Sequence, residues 1–197
     1  MQKPKLIAFD LDGTVWSPDM YVLMLIILIE LWAISLFHGC HTHIYPQTLH
    51  HRHYRYMLWG GGSPFSVVDE RVELRDRKNQ SVTLLGAIGA ILHELKFSPQ
   101  WSDTKVAWVS CTDEPGWADE CLRKFKTTTN QDNFDLPVAL IETADSSQIF
   151  KANKQKHFEI LMNQYQIEYS EMMFFDNEAG NIRSVSVCVC RGWVLIC

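Results

Sequence analysis

The chain has 197 residues, 47% of them hydrophobic and 21% charged, with a net charge of -5. That length suits one domain, or one domain with an insert, and it buries a sizeable core without staples. The composition excludes disordered, collagen-like, coiled-coil and disulfide-scaffold classes, and the acidic balance argues against a nucleic-acid binder.

Residues 5–9 form a short apolar run between Pro4 and Asp10, which predicts a buried strand and is too short for a signal-peptide core. Next comes an anomalous block, 21–55. Its first part, 21–37, is apolar except for Glu30; then follow His38, His41, His43, His50, His51 and His53, with Arg52 and Arg55. Further on, Leu84, Leu85, Ile88, Ile91, Leu92 and Leu95 recur at helical steps. Residues 106–109 read as a second strand, ending at Ser110. A helix is expected over 117–125, after Pro115 and Gly116. A third strand is expected over 138–141, after Pro137. Phe158, Leu161, Met162 and Tyr165 mark a third helix, and 172–175 a fourth strand ending at Asp176. This alternation predicts an α/β fold with a mostly parallel sheet and right-handed crossovers.

The six cysteines, Cys40, Cys111, Cys121, Cys188, Cys190 and Cys197, are scattered. Without a signal peptide they read as reduced thiols in a cytosolic or nuclear setting. Cys188 and Cys190 read as two small residues on one strand face, because a zinc site usually shows a second ligand pair at the right spacing.

Three predicted strands end in a polar residue: Asp10, Ser110 and Asp176. The carboxyl ends of parallel strands form one rim, and ligands bind there. In Asp10-Leu11-Asp12-Gly13-Thr14, Gly13 allows a tight turn. Asp10 and Asp12, with Asp176 from another strand, make an oxygen-rich pocket suited to Mg²⁺. A carboxylate there can attack phosphorus and form an aspartyl-phosphate, splitting hydrolysis into two easier steps. Ser110 or Thr14 can supply a hydroxyl to the phosphate, and Lys154 an ammonium. Asp12 can protonate the leaving oxygen and then activate water.

These stretches, with 106–110 leading into Ser110, Lys154, and Phe174-Phe175-Asp176, resemble the four motifs of the haloacid dehalogenase superfamily. Trp16, the 58–65 stretch Leu-Trp-Gly-Gly-Gly-Ser-Pro-Phe, the 110–118 stretch, Lys154 to Phe158 and Phe175 to Glu178 narrow the likeness to the magnesium-dependent phosphatases, over 1–20 and 56–186. The resemblance implies a Rossmann-like three-layer sandwich with a minimal cap. It implies Mg²⁺-dependent phosphomonoester hydrolysis, on protein phosphotyrosine or phosphorylated sugar-amine adducts. It makes Asp10 the nucleophile and Asp12 the acid/base, with Asp12 also on the metal through its backbone carbonyl. Asp176 becomes a metal ligand, and Ser110 and Lys154 bind phosphate.

The sequence departs from the family at four places. Cys111 stands where Arg usually follows the motif Ser, so a guanidinium that forks onto phosphate is missing. Asn177 replaces a second acid; it keeps an acceptor oxygen and reads as a tolerated variant that bonds a metal water. The 21–55 block is extra, and from 187 the chain reads β-branched and stops where the family continues. The block has three readings. A transmembrane helix needs about 17–25 residues, and a true span would part Asp10 from Asp176. A metal site built from the His cluster and Cys40 lacks a complete ligand pattern. The reading we carry forward is that 21–55 is not part of the evolved domain, because its removal joins Met20 to Tyr56 and restores the family's loop. The rival to an active phosphatase is accordingly an impaired product of the same gene, and a membrane-anchored protein is the more distant alternative.

Overall fold

The computed structural model describes residues 3–17, 61–129 and 136–186, together with the backbone of Trp193–Ile196. The 21–55 block, Cys188, Cys190 and the start of the atypical C-terminus lie outside the described residues.

Strand β1 (Leu6–Phe9) is buried throughout. Its unbroken apolar run is explained by its place at the centre of a five-stranded parallel sheet. On one side it pairs with β6 (Lys105–Ser110), Leu6 opposite Lys105; on the other it pairs with β8 (Met172–Asp176), Leu6 opposite Met172. An edge strand, β7 (Ser146–Ile149), lies outside β6. The opposite edge is β9 (Trp193–Ile196), parallel to β8, so the β-branched end contributes one strand.

Alternate residues of the central strands feed two cores. Ile7, Phe9, Val106 and Trp108 face α1 (Ile88–Phe97) and α2 (Pro115–Lys124). Leu6, Ala8, Ala107 and Val109 face α3 (Lys154–Tyr165) and α4 (Ala179–Ser186). Helices on both faces make three layers, as expected for the α/β class. Each large apolar side chain buried in these layers stabilises the fold by about 1.5–3 kcal/mol.

A second, smaller sheet is antiparallel, in the order β2 (Trp16–Ser17), β5 (Ser81–Leu84), β4 (Glu73–Arg75), β3 (Ser66–Asp69). Its β4–β5 turn is built by Asp76, whose Oδ1 accepts from the Lys78 and Gln80 amides at 2.8 Å, while Asn79 takes a left-handed φ of 66°. This sheet occupies the chain between β1 and α1, where a minimal cap was expected.

Two element boundaries differ from the sequence reading. The apolar run 138–141 is not a sheet strand; Leu140–Thr143 form a 3-10 turn. Leu140 is buried beneath α1 and α2, and its amide donates to Phe125 O at 2.9 Å. The strand is instead Ser146–Ile149, whose polar sequence suits a half-exposed sheet edge. The periodic run beginning at Leu84 is not all helix: Leu84 ends β5, and Gly86, at a left-handed φ of 50°, breaks the chain before Ile88. Among the described residues, no helix is long and apolar enough to cross a membrane.

Candidate active site

Asp10 follows the last residue of β1, and its amide donates to Phe175 O at 2.9 Å. That bond continues the β1–β8 ladder, so the ends carrying Asp10 and Asp176 lie side by side. Both carboxylates are buried, Asp10 at 7% exposure and Asp176 at 0%.

Lys154 reaches them from the far layer. Asn153 caps α3 with its side chain, accepting from the Lys156 amide at 2.9 Å, and so starts the helix at Lys154. The Lys154 ammonium donates to Asp10 Oδ1 and, at 2.7 Å, to Val109 O; it lies 3.5 Å from Asp176 Oδ2. Asp176 is oriented from below. Its Oδ1 accepts from the Glu178 amide at 2.7 Å, and its Oδ2 from Asn181 Nδ2 at 2.9 Å.

Two buried carboxylates against one ammonium leave an excess negative charge. Asp10 registers it: burial above all pushes its carboxyl up to about 7, and the Asp176 and Asp12 charges add to that push, against the opposing pull of Lys154. Asp12, two residues on, is held by Trp16, its Oδ1 accepting from Trp16 Nε1 at 2.8 Å.

The two hydroxyls differ. Ser110 ends β6 and is 3% exposed. Thr14 is tied to the loop after β8; its Oγ1 accepts from the Asn177 amide at 3.0 Å and faces Asn177 Oδ1 at 3.4 Å. Thr14 therefore fastens two loops. The same contact brings Asn177 Oδ1 to the Thr14 hydroxyl.

Cys111 is half-buried, with Sγ 4.0 Å from Nδ1 of His157, a fully buried residue. His157 Nε2 lies 3.1 Å from Phe150 O, which can only accept, so the ring proton is on Nε2 and Nδ1 presents its lone pair to the thiol. Burial and the Lys154 charge hold His157 below its usual range. Sequence reasoning gave no role to three positioning side chains here: His157, Asn181 and the Trp16 indole. Trp16 and His157 stood within stretches that carry the family likeness, and Asn181 left no signal.

Among the described residues, no three His, Cys, Asp or Glu side chains stand together as a metal cage. Mg²⁺ does not require one, since it usually keeps several waters and takes one or two carboxylates. Asp10 and Asp176, converging with uncompensated charge, fit such an ion.

The acid phosphatase family matches residues 2–195. No curated protein matches the chain. Among solved structures, a haloacid dehalogenase-like hydrolase from Xanthomonas campestris has a TM-score of 0.58 and 10% identity, covering 100% of this chain and 83% of that one. CbbY from Rhodobacter sphaeroides, in complex with phosphate, has a TM-score of 0.53 and 14% identity, covering 98% and 87%. The N-terminal part of a Bacteroides fragilis protein, containing a phosphatase domain complexed with Mg, has a TM-score of 0.48 and 13% identity; the match covers 98% of this chain but only 36% of that one. The structural likenesses concern the fold, and the family match spans nearly the whole length: the chain belongs to the acid phosphatase family, on a haloacid dehalogenase-like fold.

Proposed function

We propose that the protein is a Mg²⁺-dependent phosphomonoesterase working through an aspartyl-phosphate on Asp10. The observation that supports this most is the Lys154 ammonium, fixed between two buried strand-end carboxylates.

Asp10 attacks the phosphorus, a P–O bond forms to its carboxylate, and the bond to the leaving oxygen breaks. Asp12 donates a proton to that oxygen, then takes one from the water that hydrolyses the acyl phosphate. Lys154 and the Ser110 hydroxyl hold the non-bridging oxygens as charge shifts among them. Thr14, placed in the phosphate site by sequence, keeps the Asp10–Thr14 loop registered against Asn177. Asp10, Asp176 and the Asp12 carbonyl would hold Mg²⁺, which neutralises charge between carboxylate and phosphate when bound. The substrate classes we assign from the family likeness are protein phosphotyrosine and phosphorylated sugar-amine adducts, in a cytosolic setting.

Turnover of 4-nitrophenyl phosphate tests this reading. It should require Mg²⁺, stop with excess chelator and vanish in Asp10→Asn, and hydroxylamine should trap the acyl phosphate as a hydroxamate. Full activity in chelator, or in the soluble Asn variant, would sink the assignment. A second reading, an impaired relative that binds phosphate but turns it over slowly, is favoured by one observation: Cys111 packs on His157 where the family's guanidinium is expected. Phosphate binding without turnover would decide for it.

A further inference from the structure

Helix α2 holds two parts of the molecule at once. Trp16, whose indole fixes Asp12, stacks on Phe125, the residue that ends α2, with ring centroids 6.3 Å apart. The same helix grips the 61–65 loop. Glu120 Oε2 accepts from Ser63 Oγ at 2.6 Å, and Oε1 from the Phe65 amide at 2.9 Å. Lys124 pairs with Glu120 at 2.8 Å and also donates to Phe65 O. At the rim end of α2, the Trp117 ring lies so close under Gly62 that a Cβ there would fall 2.2 Å from it. Gly62 also has a left-handed φ of 85°, and its amide donates to Asp76 Oδ2 at 2.9 Å. Backbone thus lies flush on indole.

The carboxylate at the centre of this grip is well matched to its task. It accepts from an amide and a hydroxyl and meets one ammonium, so its charge is compensated although it is partly buried. Burial opposes its ionisation, yet the bonds from Lys124, Ser63 and Phe65 hold it below the ordinary range. Asp12 is tied to this helix through Trp16, which donates to its carboxylate and stacks on Phe125.

We propose that Glu120 is a positioning residue, which by clamping the 61–65 loop to α2 sets the wall against which a substrate's leaving group lies beside Asp12. The inference rests on the phosphatase reading and adds a determinant that touches neither phosphate nor metal. Its effect falls on the leaving group, since Glu120 bonds neither Lys154 nor Ser110, the residues that hold the phosphate in the proposed mechanism.

The test uses the full chain with Mg²⁺, comparing the parent with Glu120→Ala and Glu120→Gln. For 4-nitrophenyl phosphate, KM should rise about three- to tenfold in the Ala variant, with a much smaller change in kcat. The inhibition constant of inorganic phosphate, which has no leaving group, should stay at the parent value. Gln keeps one acceptor oxygen but loses the charge pair, so it should fall between. Chymotryptic cleavage after Phe65 should be faster in the Ala variant, a readout independent of activity. An unchanged KM, an inhibition constant rising in step with KM, or unchanged cleavage at Phe65 would each overturn the inference while leaving the phosphatase reading intact. A parent that turns nothing over with Mg²⁺ would overturn both.

Discussion

The Lys154 ammonium is bonded to the Asp10 carboxylate across 144 positions of sequence, and the same nitrogen is anchored to Val109 O at 2.7 Å. The ammonium is therefore fixed to the sheet as well as to its counterion. Such a group needs little reorganisation when phosphate arrives, which is what electrostatic stabilisation of a transition state requires.

Removing that cation should be costly for the fold itself. Lys154→Met leaves Asp10 and Asp176 buried without their partner, and breaking a buried pair typically costs about 3–5 kcal/mol. Urea unfolding should show a loss of that order. Because the penalty belongs to a stranded charge, Asp10→Asn should recover more stability in the Lys154→Met background than it adds to the parent. An equal effect in both backgrounds would mean that the two residues act independently.

Asp10→Asn should abolish turnover yet stabilise the metal-free protein at neutral pH and above. The sign follows from the shift of its carboxyl from an ordinary 3.8 to about 7. Between these values the folded state holds a proton that the unfolded state has released, so the parent loses stability as pH rises through that window. The Asn variant lacks this loss. Its advantage in thermal unfolding should be absent near pH 3, grow between pH 4 and 7, and level off near pH 8 at on the order of 1–4 kcal/mol. Mg²⁺ should narrow the gap by binding the native parent. A stability difference independent of pH would show that the Asp10 carboxylate carries no burial penalty.

The convergence of the candidate site was legible because apolar runs bounded by acids are informative. Runs 5–9 and 172–175 point to strands, and the residues after and at their ends, Asp10 and Asp176, meet on Lys154. What was not legible follows from physics that a run of letters hides. Ser146–Ile149 is polar because it is a sheet edge, and 138–141 is apolar because Leu140 is buried beneath helices. The antiparallel sheet escaped notice because its strands are short, Trp16–Ser17 having only 2 residues. Trp16 stood out only as part of the family likeness; it is fully buried, and its indole N–H reaches Asp12.

Deleting residues 21–55 should raise soluble yield and leave the thermal midpoint of the remaining domain unchanged or higher. The block carries a long apolar run. Both faces of the parallel sheet are already covered, by α1 and α2 on one side and α3 and α4 on the other. Among the described residues neither face of the parallel sheet is left open, and apolar segments that stay unburied favour association. Equal yield with a lower midpoint after deletion would identify 21–55 as a structural element and defeat the reading that it lies outside the evolved domain.

Cys111→Arg should strengthen phosphomonoester binding. Position 111 directly follows Ser110, and Cys111 Sγ lies 4.0 Å from the Nδ1 lone pair of His157. His157 is held below its usual range by burial and by Lys154, so at pH 7.5 it is neutral and does not repel an incoming guanidinium. Its Nδ1 can accept one guanidinium N–H, leaving the others to reach phosphate. A charge-assisted bond of that kind contributes roughly 1.5–3 kcal/mol, so KM should fall by about tenfold or more, and the inhibition constant of inorganic phosphate should fall with it. If neither moves, Lys154 and the metal already satisfy the phosphate, and Cys111 is a neutral replacement. If KM falls but the phosphate constant does not, the guanidinium contacts the leaving group, and its assignment to the phosphate site is wrong.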